Sequence, residues 1–153
     1  MDSENFKQRS IDHAWRYFEL HAQQRMTVFN FYLAISGLIS AGIGVCLQEG
    51  PEFLLLVSLL GFFLSLISLL FWKLDQRTSE MIKLAESALR GLEKEAIYPI
   101  AAIFSKDLHD SPAKGFTSIW SYGRCFRLAF LVVGVTGLTL AISPSLIGLL
   151  SNP

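Results

Sequence analysis

Apolar positions along this chain gather into three long runs separated by polar stretches. Residues 28–47, VFNFYLAISGLISAGIGVCL, and 53–72, FLLLVSLLGFFLSLISLLFW, are each 20 residues long and free of charge. At roughly 1.5 Å per residue, such a run crosses the hydrocarbon core of a bilayer. Only QEGPE, residues 48–52, lies between them, and Gly50-Pro51 supplies a turn signal. The pattern predicts a transmembrane helical hairpin over 28–72. A third run, 128–150, contains Pro144, which disfavours helix at Ser143 and predicts a kink or stop there. Counted to Ser143 this helix has 16 residues, short for a span but sufficient with bilayer thinning or continuation past the kink. It reads as a third, Pro-kinked span that leaves the C-terminus outside. The alternative is a re-entrant or interfacial segment, with the C-terminus in the cytoplasm.

The polar stretches have periods of their own. Residues 1–10 are polar and predict a frayed end. From Ile11, the series Ile11, Trp15, Phe18, Ala22, Met26 and Phe29 recurs at spacings of three and four, one face of an amphipathic helix. No Pro or Gly interrupts residues 11–35, so this arm (1–27) predicts a helix continuous with the first span or lying on the inner leaflet. Beyond Trp72, the seam Leu74, Thr78, Met81, Ala85, Ala88, Leu92 and Ala96 keeps a heptad-like spacing, flanked by charges that include Asp75. It predicts a cytosolic stalk that prolongs the second span and stops before Pro99. Residues 97–104 form a short apolar element, and 105–115, SKDLHDSPAKG, has the composition of a loop. The expected fold is therefore an all-α integral membrane protein. Its segments are an arm (1–27), a hairpin (28–72), a cytosolic stalk and loop (73–127) and a third span (128–150).

Charge orients this architecture. The 13 Lys and Arg all lie in 1–27 or 73–127, while the hairpin turn carries only Glu49 and Glu52. The positive-inside bias predicts a cytoplasmic N-terminus and stalk, with the turn outside. Trp15, Trp72, Trp120 and Tyr122 are placed as interfacial anchors, with Arg124 and Arg127 as inner-leaflet anchors. Apolar content of 52% and a mean hydropathy of +0.43 fit a membrane protein rather than ordinary globular usage. A cleavable signal is not expected, because the first run starts late and is too long. Cys46 and Cys125 fall on opposite sides of the membrane in this topology, which excludes pairing within one chain.

Small residues mark candidate packing faces. Ser36, Ser40 and Gly44, with Gly37 and Ala41 beside them, form a stripe on the first span, and Ser58, Gly61, Ser65 and Ser68 form one on the second. Gly134, Gly137 and Ala141 do the same on the third. Lipid provides no hydrophobic drive for helix pairing, so close backbone approach at small residues supplies it. These stripes predict hairpin packing and self-association into a homo-oligomer. They also provide a neutral lining for a wetted path, best on the first span, with Phe29 and Tyr32 near its inner mouth.

Catalytic chemistry is not legible. No HExxH, CxxC pair, phosphate loop or nucleophile elbow occurs. His13, His21 and His109 do not have metal-ligand spacing, and Asp107, His109 and Asp110 read as a solvated cluster. No cofactor is expected. The spans carry no ionisable side chain of the kind coupled carriers place near the midplane, only Ser, Thr and Asn30 among polar groups. Basic residues are interleaved with acids, so direct nucleic-acid contact has no support.

The block Trp15–Phe31, WRYFELHAQQRMTVFNF, followed by a Ser/Gly-rich hairpin, resembles small bacterial membrane proteins of antiviral defence operons. The nearest likeness is to transmembrane effectors encoded beside retron reverse transcriptases, with SLATT-type effectors as a cousin layout. The resemblance implies an inner-membrane protein held inactive by a cytosolic regulatory protein or ribonucleoprotein. On infection it would depolarise or permeabilise the bilayer and abort the infection. The alternative from the residues alone is a non-catalytic anchor or scaffold for a cytosolic complex.

Overall fold

A computed structural model describes the backbone of residues 2–94, 103–110 and 121–150 and the side chains of 4–94, 103–106 and 121–143. Among these residues there are helices and turns and no strand. Helix α1 spans Asp2–Glu49, α2 Leu54–Glu93, α3 Ile103–Asp110 and α4 Tyr122–Leu150. Three of them, α1, α2 and α4, are long and apolar enough to cross a membrane. The all-α membrane architecture expected from the pattern is the one observed.

Several boundaries differ from the expectation. Helix α1 already begins at Asp2, so residues 2–10 are not a frayed end. Extending an existing helix requires no new nucleus, and local bonds assist: Ser10 Oγ donates to the Phe6 carbonyl at 3.0 Å and Gln8 Nε2 to Asp12 Oδ1 at 3.1 Å. The expected loop at 105–115 is helical through Asp110, since α3 occupies 103–110, and this puts His109 on a helix; residues 111–115 lie outside the described residues, as do 97–102. Pro144 does not end α4, which runs to Leu150. Proline has no N–H to offer the carbonyl four residues back. Here that carbonyl, of Leu140, accepts Ser143 Oγ at 3.4 Å instead.

The hairpin turn follows from residue chemistry. Gly50 adopts φ 134°, a region that side chains rarely enter. Pro51 then opens a short 3-10 turn, Pro51–Phe53, closed by the Phe53 N–H on the Gly50 carbonyl at 3.2 Å.

The chain divides into two compact units. One comprises residues 1–26 and 76–121. In it, Phe104 of α3 packs edge-on against Phe18 and Trp15 of α1, with ring centroids 5.4 and 6.2 Å apart. Ala85, Leu89, Thr78 and Ser79 form the buried face of the stalk, whereas Ala88 of the expected seam is exposed. The other unit comprises residues 27–75 and 122–153 and contains the apolar lengths of all three long helices. Its core is Tyr32, Ile39, Ile43 and Cys46 of α1, Val57, Leu64 and Ile67 of α2, and Phe126 and Phe130 of α4.

Candidate helix-packing and path-lining site

The second-span stripe closes on α4. A Cβ built on Gly61 would stand 2.7 Å from the Gly137 carbonyl oxygen and 2.9 Å from the Ala141 nitrogen. A Cβ on Gly137 would stand 2.7 Å from the Gly61 carbonyl oxygen and 2.9 Å from the Ser65 nitrogen. The two backbones therefore touch, which only paired glycines permit. Around this crossing, Gly134 lies against Ser68, and the Ser58 hydroxyl donates to the Ala141 carbonyl. Residue numbers rise on one helix as they fall on the other, so α2 and α4 run antiparallel.

A second layer is aromatic. Phe29 stacks on Phe126 with centroids 3.9 Å apart, and Tyr32 meets Phe130 edge-on at 4.6 Å and Phe71 at 5.4 Å. Tyr32 is fully buried, and its hydroxyl lies 3.0 Å from Ser68 Oγ, which also donates to the Leu64 carbonyl at 2.8 Å. Phe29 and Tyr32 thus fill the core of this unit.

The first-span stripe divides. Ser36 is buried and turns back on its own helix, donating to the Tyr32 carbonyl at 2.7 Å. Ser40 and Gly37 are exposed, and a Cβ on Gly37 or Gly44 would meet nothing within 4 Å. Trp72 is half-buried beside Phe130 and Gly134 in a shallow groove of about 170 Å³. Trp15 joins Phe18 and Phe104. Tyr122, Arg124 and Arg127 are exposed at the start of α4, Tyr122 with its ring 6.3 Å from Phe126; Trp120 lies outside the described residues. Cys46 is buried, Cys125 exposed, and both are free. Among the described residues no three His, Cys, Asp or Glu side chains gather as a metal set.

Two features escaped the sequence reading. Asp75, expected on the flank of the stalk, is buried with 4% exposure; a charge beside an apolar seam normally signals solvent, and nothing local marks this one as an exception. In the other unit, Glu93 caps α3 from a distance. Its Oε1 accepts the Phe104 N–H at 3.1 Å, and its Oε2 accepts the Ser105 N–H and hydroxyl, each at 2.9 Å. Desolvation pushes the Glu93 carboxyl up, but hydrogen bonds from Phe104, Ser105 and Ile103 together outweigh it and hold the group below the usual carboxylate range.

Three long apolar helices, two of them in backbone contact at Gly61 and Gly137 and the third packed on them through Phe29 and Tyr32, define a helical membrane protein. The chain belongs to the octameric membrane protein family (8xMP), whose model matches residues 8–143. It is 54% identical over 139 residues to the CD-NTase-associated protein 19 of Escherichia coli, covering 90% of this chain and 92% of that one. No solved structure matches. Family membership supports assembly into a homo-oligomer in the membrane.

Proposed function

We propose that this chain is the inner-membrane effector of a bacterial antiviral defence system, a non-catalytic oligomer of eight copies. A cytosolic partner holds it inactive; released, it depolarises or permeabilises the membrane. The observation that carries this reading is the packed interior of one copy. With Gly61 on Gly137 and Tyr32 among Phe29, Phe71 and Phe130, the middle of the spanning unit is filled by packed groups among the described residues. Conduction then belongs to the assembly, as the octameric family suggests. The energy comes from the existing ion gradient, so the mechanism needs a lined path and a closure rather than a reacting group. The relative's name favours a CD-NTase over a retron reverse transcriptase as the neighbouring component.

The test is a membrane-potential dye read after induced expression, with and without the neighbouring operon components. The expected outcome is depolarisation by the chain alone and its suppression when they are present. A full-sized assembly in membranes whose potential stays normal under every condition would sink the effector reading in favour of an anchor for a cytosolic complex.

A further inference from the structure

The uncovered side of α1 carries a pattern unlike the rest of its unit. Asn30, Ala34, Gly37, Ala41, Gly44 and Gln48 follow one another at spacings of four, three, four, three and four. That alternation of four and three is the spacing of a helix seam facing another helix. The seam lies on the side of α1 opposite Tyr32, Ser36, Ile39 and Ile43, the residues that face the core of the unit. All but Gly44 are exposed, and at Gly44 and Gly37 a Cβ would meet no atom within 4 Å. Beside the seam stand the side chains expected against lipid, Phe31, Leu38 and Val45, exposed by 62, 77 and 58%. Along the seam itself no side chain exceeds the size of alanine between the two amides.

Lipid accepts large apolar side chains and gains nothing from glycine. A helix face stripped to Gly and Ala is useful where another backbone comes close, as Gly61 and Gly137 show within this chain. Asn30 adds an independent indication. Its amide sits inside a run of apolar residues and has no hydrogen-bond partner among the described residues. An amide left in hydrocarbon is costly, and Asn side chains in spans satisfy themselves across helices. Membership of an octameric family favours one occupant for this face: another copy of this chain.

We propose that the seam Asn30–Ala34–Gly37–Ala41–Gly44–Gln48 is the surface through which α1 meets the α1 helices of neighbouring copies. In a closed ring each copy has two neighbours. The seam supplies close backbone approach in the middle and amide contacts at its two ends. This inference rests on the oligomeric part of the reading above and not on depolarisation.

The experiment uses the full chain in native membranes, with Cys46 and Cys125 replaced by Ser. Single cysteines are introduced at Ala34 or Ala41 on the seam, and at Leu59 or Val135 on exposed faces of α2 and α4. Mild oxidation is followed by denaturing electrophoresis. The expected result is covalent dimer from Ala34→Cys and Ala41→Cys, at least several-fold above that from Leu59→Cys and Val135→Cys. Dimer no greater at the seam than at the other two positions overturns the inference. Native mass spectrometry of the same samples separates the two failures: intact oligomers mean that another face makes the contact, and monomers alone overturn the oligomeric reading as well.

Discussion

Gly61 and Tyr32 hold the spanning unit together by different means. At Gly61 the neighbouring atoms are backbone, which cannot rotate away from an added side chain. Gly61→Leu is therefore expected to cost upward of about 3 kcal/mol, the top of the usual overpacking range, while inserting as readily as the parent. Unfolding in mixed detergent micelles checks this, and a stability within error of the parent would contradict the crossing. Tyr32→Phe removes only the bond to Ser68 and keeps the ring among Phe71 and Phe130. Interhelical hydrogen bonds in membranes average about 0.6 kcal/mol, so a loss below about 1 kcal/mol is expected in the same assay. The sequence exposes the Ser58–Gly61–Ser65–Ser68 stripe by its spacing, but not its partner. Small stripes occur on all three spans and fit one another equally well on paper. Only the three-dimensional arrangement assigns this one to α4 and leaves Gly37 and Gly44 of α1 uncovered.

Among the elements, α3 depends on a group outside itself. Its eight residues are too few to form a stable helix alone, and Glu93 supplies acceptors for its first N–H groups. Because the folded carboxyl is depressed, its contribution is present above the unfolded value of 4.5 and is lost as pH falls through the folded value. Amide hydrogen exchange at Phe104 and Ser105 should therefore speed up, after correction for intrinsic rates, in Glu93→Gln at neutral pH and in the parent as pH falls below 4.5 and through the lower folded value. Unchanged protection in both would show that the aromatic contacts with Trp15 and Phe18 suffice. This element was illegible in sequence for a physical reason. Its own residues, rich in Asp, Ser and Lys, have turn composition, and its cap comes from ten residues upstream of Ile103. Long periodic helices were legible because each carries its own evidence; at Pro144, where the pattern allows a kink or a stop, α4 continues to Leu150, and the Ser143 hydroxyl serves the Leu140 carbonyl.

For the whole molecule, orientation is the property most directly tied to charge. All 13 Lys and Arg lie outside the turn and outside the apolar runs 28–47, 53–72 and 128–150, which predicts the turn outside and the unit of residues 1–26 and 76–121 inside. In a background lacking Cys46 and Cys125, a membrane-impermeant thiol reagent applied from the periplasm should label Glu52→Cys and leave Lys106→Cys unlabelled. The reverse pattern would invert the topology. Gly50 is a poor label site, because its φ of 134° would strain any side chain. The charge pattern thus predicts the orientation, and the apolar pattern predicts the number of helices long enough to span. Function is the least legible level: a path, a closure and a partner are properties of several chains, and one sequence records only the surfaces each chain brings.

The contact between Gly61 and Gly137 also bears on how this chain can change over generations. In most packed pairs, enlargement of one residue is rescued when its neighbour shrinks. Here neither residue has anything left to give up, since each already presents bare backbone to the other. Compensation within the pair is closed off in both directions. A lineage that replaces either glycine must re-site α4 against α2 as a whole, so suppressors of a Gly61 substitution should arise along the length of α4 and not at residue 137.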